Sequence, residues 1–504
     1  MELRGYQATA DIYANIAVSI SHERSGHLMT HDSLGNVVSL KELGATHPEY
    51  FSKMANGERM CFAKFPNPGR TQFCWSDPGL AQLVGERFVE LMKATPRQTI
   101  YYLAPGDGGN LYCHCDRCKV ASNTDNMVTF ANKVAAVTAK SFPDNVIMIC
   151  SYVDSVSAPT VRPHPNVKVN ITYYHPDYWP ATMFYRHPAN KPGLDALAGW
   201  RKMFPDAGPE PYLGICQEWL AACPGFDAFV EMFRDSAEHG SFVFDGTYGH
   251  TQHANGGING WMALSDAGYY VFSRVLIDPK YDDVAGRKHF FDAYYGLAGE
   301  PMLAYLARLE KARVDEDWVQ NTEQVRRGFV RPEWAAEALA SLDAAEKAAG
   351  ADKDIRGRVL HEKQKFLYSY LLDINRARGT IPKDGFGEWA RRVGEFCAIC
   401  RERGCGFMNV EDVEPILKRY ALVSVPKTVK NRGWFEPCQK NLTKLIDDPV
   451  GVLGSAVPFA QEKTEKGWLI PTKGMAGAER VPKCGWCREK PIDCRQLKRP
   501  SSGT

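Results

Sequence analysis

The chain has 504 residues, of which 44% are hydrophobic and 24% charged, an ordinary globular composition whose length suggests about two to four domains. Lysine and arginine number 61 against 59 for aspartate and glutamate, giving a formal charge of +2, so no strong field draws nucleic acid or an anionic membrane. No run of about 18 apolar residues spans a bilayer, and the N-terminus lacks the basic-then-apolar pattern of a secretory signal, so the sequence as it stands reads as cytoplasmic.

In chain order, Asp11 to Ile20 reads as a strand, followed by a polar loop carrying His22, His27 and His31 at a spacing that matches no metal template. Leu40 to Phe51 reads as a loop in which Pro48 breaks periodicity and the aromatic side chains pack inward. Gly79 to Ala94 has a helical apolar stripe, with Ser76 or Asp77 as N-cap and Pro78 in the first turn. Thr99 to Ala104 is β-branched and aromatic, suits a buried strand, and stops at Pro105-Gly106-Asp107-Gly108-Gly109. A helix over Asn126 to Lys140 follows, then strands at Asn145 to Val153 and Asn166 to Tyr174. Next come a helix over Leu194 to Phe204, a strand at Tyr212 to Glu218, a helix over Gly225 to His239, a strand at Ser241 to Asp245 and a helix from about Ile258 to Leu276.

Near-continuous apolar strands separated by helices argue for a parallel sheet buried on both faces. The fold class expected is therefore α/β, as a (β/α)8-type barrel whose first units are absent or unrecognised, over residues 1–300. A doubly wound open sheet is the alternative, but neither glycine-rich nucleotide motif follows a strand. Helical patterns over Met302 to Trp318, Pro332 to Ala349, Asp354 to Arg378 and Gly385 to Arg403 define a helical domain at 301–419. Residues 420–504 read as a small β-rich or irregular tail containing further cysteines.

In a parallel α/β barrel the loops after the strands share one face. Asp107, Asp154, Glu218 and Asp245 would then meet there, interleaved with Tyr173, His175, Trp179, Trp219 and Tyr248. Converging carboxylates with aromatic faces are the makeup of a glycoside-hydrolase cleft acting on an oligosaccharide or polysaccharide. Glu218, beside Trp219, is the candidate general acid/base, because an adjacent apolar ring raises a carboxyl pKa toward the working range. Asp107 and Asp245 are the candidates to steady developing charge, and Tyr173, His175, Trp179, Trp219 and Tyr248 to bind sugar. Such chemistry needs no cofactor. The other reading is a non-catalytic carbohydrate-binding or structural barrel.

Cysteine usage is a separate signal. Cys113-His114-Cys115-Asp116-Arg117-Cys118 packs three thiols into six residues, and Cys74 is the candidate fourth ligand for a structural zinc. Disulfides and free packed thiols are the alternatives. Cys397 and Cys400, and Cys484 and Cys487, each form only half of a zinc site.

The stretches HPEYF (His47 to Phe51), QFCWSDP (Gln72 to Pro78), APGDGGNLYCHCDRC (Ala104 to Cys118), YVFSRVLIDPKYD and FFDAYYGLAGEPMLAYLARLE (Phe290 to Glu310) resemble bacterial proteins of glycoside hydrolase family 163, formerly a domain of unknown function. The resemblance spans about residues 15–310 and implies an endo-β-N-acetylglucosaminidase-like enzyme on a barrel, with exported relatives. It also implies substrate assistance, in which the N-acetyl group of the sugar serves as nucleophile while one carboxyl orients it and another acts as acid and base.

Overall fold

A computed structural model describes residues 40–61, 71–96, 99–106, 112–152, 155–172, 190–210, 222, 225–241, 264–315, 330, 332–376, 380–381, 386–403, 423–424, 436–437, 463–464 and 467–469. The predicted strands at Asp11 to Ile20 and Tyr212 to Glu218, and Ser241 to Asp245 except for its first residue, lie outside them. The chain divides into two compact units, Met1–Lys365 and Phe366–Thr504.

Among the described residues, the first unit is a mixed α/β structure, helix-rich, with a four-stranded sheet. Its opening segment is more ordered than the loop expected there: a short helix α1 (Leu40–Thr46) is followed by a 3-10 turn at Pro48–Tyr50. Pro48 sits at the start of that turn, where its missing N–H costs nothing and its fixed φ is already suitable. Residues 51–60 then fold back as a narrow ribbon. Lys53 bridges Arg59 around Asn56-Gly57, and Gly57 supplies the positive φ of +87° that closes the turn.

Helix α2 (Pro78–Ala94) begins where Asp77 caps it, its carboxylate accepting from Gly79 N at 3.0 Å and Leu80 N at 3.1 Å. Leu80, Val84, Phe88 and Met92 recur every four residues and are all fully buried. Strand β1 (Ile100–Leu103) is buried at every position. It is followed by helix α3 (Asn123–Thr138), strand β2 (Val146–Ser151), strand β3 (Val167–Thr172), helix α4 (Lys191–Arg201) and strand β4 (Gly208–Glu210). The sheet order is β1-β2-β3-β4, and each neighbouring pair is parallel.

Helices α2 and α3 pack together. A Cβ at Gly85 of α2 would lie 2.7 Å from Val137 Cβ, so the absent side chain is what allows this close approach. On β1, Tyr101 meets Phe88 edge-on at 6.2 Å and its hydroxyl reaches Thr95 Oγ1 at 3.0 Å.

The described residues beyond β4 in this unit are mostly helical: α5 (Phe226–Glu238), α6 (Ser265–Ile277), α7 (Asp283–Tyr295), α8 (Gly299–Asp315), α9 (Pro332–Ala349) and α10 (Lys353–Arg376), which runs on into the second unit. Helix α7 has no counterpart in the sequence reading, because its apolar residues bunch at Phe290, Phe291, Tyr294 and Tyr295 instead of spacing along one stripe. What starts and stops it is local: Asp282 accepts from Ala285 N at 3.0 Å, and Gly296 ends it at φ +54°.

The second unit contains α11 (Phe386–Arg403), an antiparallel sheet of β5 (Thr380–Ile381), β9 (Gly467–Leu469) and β8 (Lys463–Thr464), and a two-stranded pair of β6 (Val423–Ser424) and β7 (Glu436–Pro437). Tyr368 and Phe396 bring its helices together, with ring centroids 6.5 Å apart. Among the described residues, no helix is long and apolar enough to cross a membrane.

Two partly buried carboxylates tie this architecture to pH. Asp125 accepts from Thr160 N at 2.6 Å, Thr160 Oγ1 at 2.9 Å and Val161 N at 3.1 Å. Burial raises its pKa, but these hydrogen bonds and one involving Ser122 outweigh that and hold it below the usual carboxylate value. Asp283 is likewise lowered: burial is outweighed by Arg234 and Arg287, at 2.8 and 2.5 Å. A folded-state pKa below the unfolded one gives stability that is present above the unfolded value, about 4, and lost as the pH falls through the folded value. Urea midpoints should therefore drop as the pH falls below about 4, and Asp125→Asn should flatten that acid limb. An acid limb unaltered in the variant would show that Asp125 does not carry it.

Candidate metal centre

Three segments converge near the C-terminal end of β1, where Gln72 bonds Gly106. Phe51 bridges Phe73, Ser52 N–H donates to Gln72 O at 2.9 Å and Cys74 N–H donates to Tyr50 O at 2.7 Å, so residues 72–74 run antiparallel to 50–52. The third segment, 112–118, joins through Lys53. Its carbonyl accepts from His114 N at 2.7 Å, and its N–H donates to Cys113 Sγ at 3.2 Å.

The result is a cluster of four sulfurs, from Cys74, Cys113, Cys115 and Cys118, all buried and all within 4.8 Å of one another. Cys74 Sγ lies 3.6 Å from Cys115 Sγ and 3.8 Å from Cys118 Sγ. All four cysteines are free. A tetrahedral ion with metal–sulfur bonds of about 2.3 Å separates its ligands by about 3.8 Å, so the spacing already matches such an ion. The donor set is entirely thiolate, and the cluster could hold a metal ion.

Its surroundings suit negative sulfur. Backbone N–H groups of Lys53 and Cys115 donate to Cys113, and that of Cys118 donates to Cys115. Ser76 Oγ lies 3.0 Å from Cys118 Sγ. Arg117, ion-paired to Asp77, also reaches the Cys74 sulfur. Hydrogen bonds from Cys113 and Cys118 hold the Cys74 thiol far below its ordinary value. The cost falls on its neighbours. Cys118 is pushed far up by Cys113 and Cys74, and Cys113 rises to about 11, where Cys74 and burial outweigh a lowering bond from Cys118. A dication held by all four sulfurs would displace the remaining thiol protons. His114 and Asp116, also in the motif, are exposed and stand outside the cluster.

The same segments hold the end of β1. The Gln72 side-chain amide, fully buried, accepts from Gly106 N at 3.1 Å and donates to Gly106 O. Tyr112 is buried with its hydroxyl 3.3 Å from Ser155 Oγ, just past β2. Gln72 was not singled out by the sequence reading. The available signal was its place two residues before Cys74, because side chains two apart in an extended segment share a face. Asp107, Asp154, Tyr173, His175, Trp179, Glu218, Trp219, Asp245 and Tyr248 lie outside the described residues, so the structure brings together the cysteines among the predicted site residues.

Among the described residues, a parallel four-stranded sheet with helices and a cluster of four cysteines near the end of its first strand thus define a mixed α/β protein. The chain belongs to the family described as Domain of unknown function (DUF4838), whose model matches residues 4–307. Comparison with curated proteins yields no match.

Proposed function

We propose that the first unit carries a glycoside hydrolase of the family 163 type, acting on an N-acetylglucosamine-containing glycan or a bacterial polysaccharide from the face of a (β/α)8-type barrel. The observation that carries the reading is the parallel register of β1 to β4, which sets their C-terminal ends along one edge of the sheet. In sequence, Asp107 comes after β1, Asp154 after β2, Tyr173 and His175 after β3, and Glu218 after β4. In parallel α/β folds that edge is where reacting groups gather, because each strand delivers a loop to it.

In this scheme Glu218 protonates the leaving oxygen and then activates water, while Asp107 and Asp245 orient the acetamide or steady the oxocarbenium charge. Tyr173, His175, Trp179, Trp219 and Tyr248 hold the sugar rings. No cofactor takes part in breaking the bond. Purified protein assayed on a panel of aryl glycosides and N-glycans should release product, and Glu218→Gln should lower turnover about 100-fold or more with the fold unchanged. Equal turnover in the variant would remove Glu218 from this role. Glycan binding without any release would favour a carbohydrate-binding barrel.

Zinc is the ion we assign to the four cysteines, in a structural role. An all-sulfur, four-ligand set leaves no position for water or substrate, which is the pattern of closed sites. Metal analysis of the purified chain should find about one zinc per molecule.

A further inference from the structure

We propose that metal in the four-cysteine centre positions Gly106, just past the end of β1, and that Gln72 is the side chain that transmits it. The inference rests on the assignment of a metal ion to the cluster. Cys74 and Gln72 project from the same side of the short extended run 72–74, while Phe73, between them, stacks on Phe51 with centroids 5.2 Å apart. An ion that fixes the Cys74 sulfur therefore fixes the direction of the Gln72 amide. That amide satisfies both the N–H and the C=O of Gly106, which are buried and two residues beyond Ala104.

The centre holds the same stretch from its other side. Cys113 follows Gly106 closely in sequence and is tied to Lys53, which lies in the ribbon that pairs with 72–74. Gly106 is thus held from Cys74 through Gln72, while Cys113 and Lys53 anchor the chain that follows it. Two links meeting at one ion couple metal occupancy to the geometry of the strand end. For the hydrolase reading this makes Gln72 a positioning residue for Gly106, the residue before Asp107, acting without contact with substrate.

The test is amide hydrogen exchange, read by mass spectrometry on peptides covering Ile100 to Gly106, with α8 and α9 as internal reference. Three samples are compared: zinc-loaded protein, the same protein stripped with a chelator, and zinc-loaded Gln72→Ala. Stripping should speed exchange at Gly106 about tenfold or more and leave α8 and α9 unchanged, since losing buried hydrogen bonds opens the site locally. Gln72→Ala should speed Gly106 by a similar factor while keeping about one zinc per chain, and stripping it should add little further.

Unchanged Gly106 exchange in either sample would overturn the coupling. So would a uniform rise through α8 and α9, which would make the metal a general staple. No substrate is involved, so a failed glycosidase assay leaves this outcome independent. Absence of zinc from the loaded wild-type chain would instead overturn the metal assignment itself.

Discussion

Replacing Cys118 by serine will strip the metal from the protein and lower its melting temperature by about 5 °C. Cys118 supplies one of four buried sulfurs, and its Sγ also lies 3.0 Å from Ser76 Oγ. A serine hydroxyl neither deprotonates at neutral pH nor reaches as far as sulfur, so three thiolates would remain around an ion that needs four. Binding free energy at such a site is folding free energy, because the cluster joins the ribbon at 51–60, the entry to α2 and the segment after β1. Zinc-finger peptides gain about 10–16 kcal/mol from the ion; a unit with its own core keeps much of its stability without it, so a loss of about 4 kcal/mol is expected. Thermal unfolding with parallel metal analysis decides the matter. The stripped wild-type chain should melt with the variant, and Cys61→Ser, at a buried cysteine outside the cluster, should keep its metal. A Cys118→Ser protein that retains zinc and melts within about 2 °C of wild type would refute the structural centre.

Glu310→Ala should be the most damaging single change in the helical part of the first unit. The Glu310 carboxylate accepts from Gly225 N and Phe226 N at 3.0 Å and from Asp227 N at 3.4 Å, so a residue of α8 caps the N-terminus of α5. It also pairs with Arg313, whose side chain is completely buried, through bonds of 2.6 and 3.0 Å. Deleting the carboxylate takes an ion-pair partner away from a buried guanidinium, which costs up to about 3–5 kcal/mol, and removes a cap worth about 1 kcal/mol. Glu310→Gln keeps part of the cap but not the charge and should lose about half as much. Urea unfolding of the two variants gives the comparison; losses below about 1 kcal/mol for alanine would mean that the pair contributes little.

Both predictions concern contacts between residues far apart in the chain, and that is where sequence reading reached its limit. Helices α2, α3, α9 and α11 were legible from apolar spacing, with Asp77 and Pro332 at the starts of α2 and α9, and strands β1 to β3 from dense apolar runs. These signals are local. A helix places every fourth residue on one face, and a buried parallel strand must be apolar on both. Helix α7 escaped because its apolar residues serve several neighbours at once, as the contacts of Phe290 with Tyr270 of α6 at 5.1 Å and of Tyr294 with Arg358 of α10 at 4.1 Å show.

For the cysteine centre the division is similar. Three thiols in CHCDRC announce a metal motif because their spacing is local, and Cys74 is a candidate because a barrel would put its QFCWSDP loop on the same face. Only the packed chain brings Cys74 within 3.6 Å of Cys115, turns the Gln72 amide onto Gly106 and sets Glu310 beneath α5. Local periodicity follows from the geometry of a single backbone segment, so residue order suffices to reveal it. Which distant segments share a buried polar contact depends on how several elements fill one core together, and that is decided when they pack.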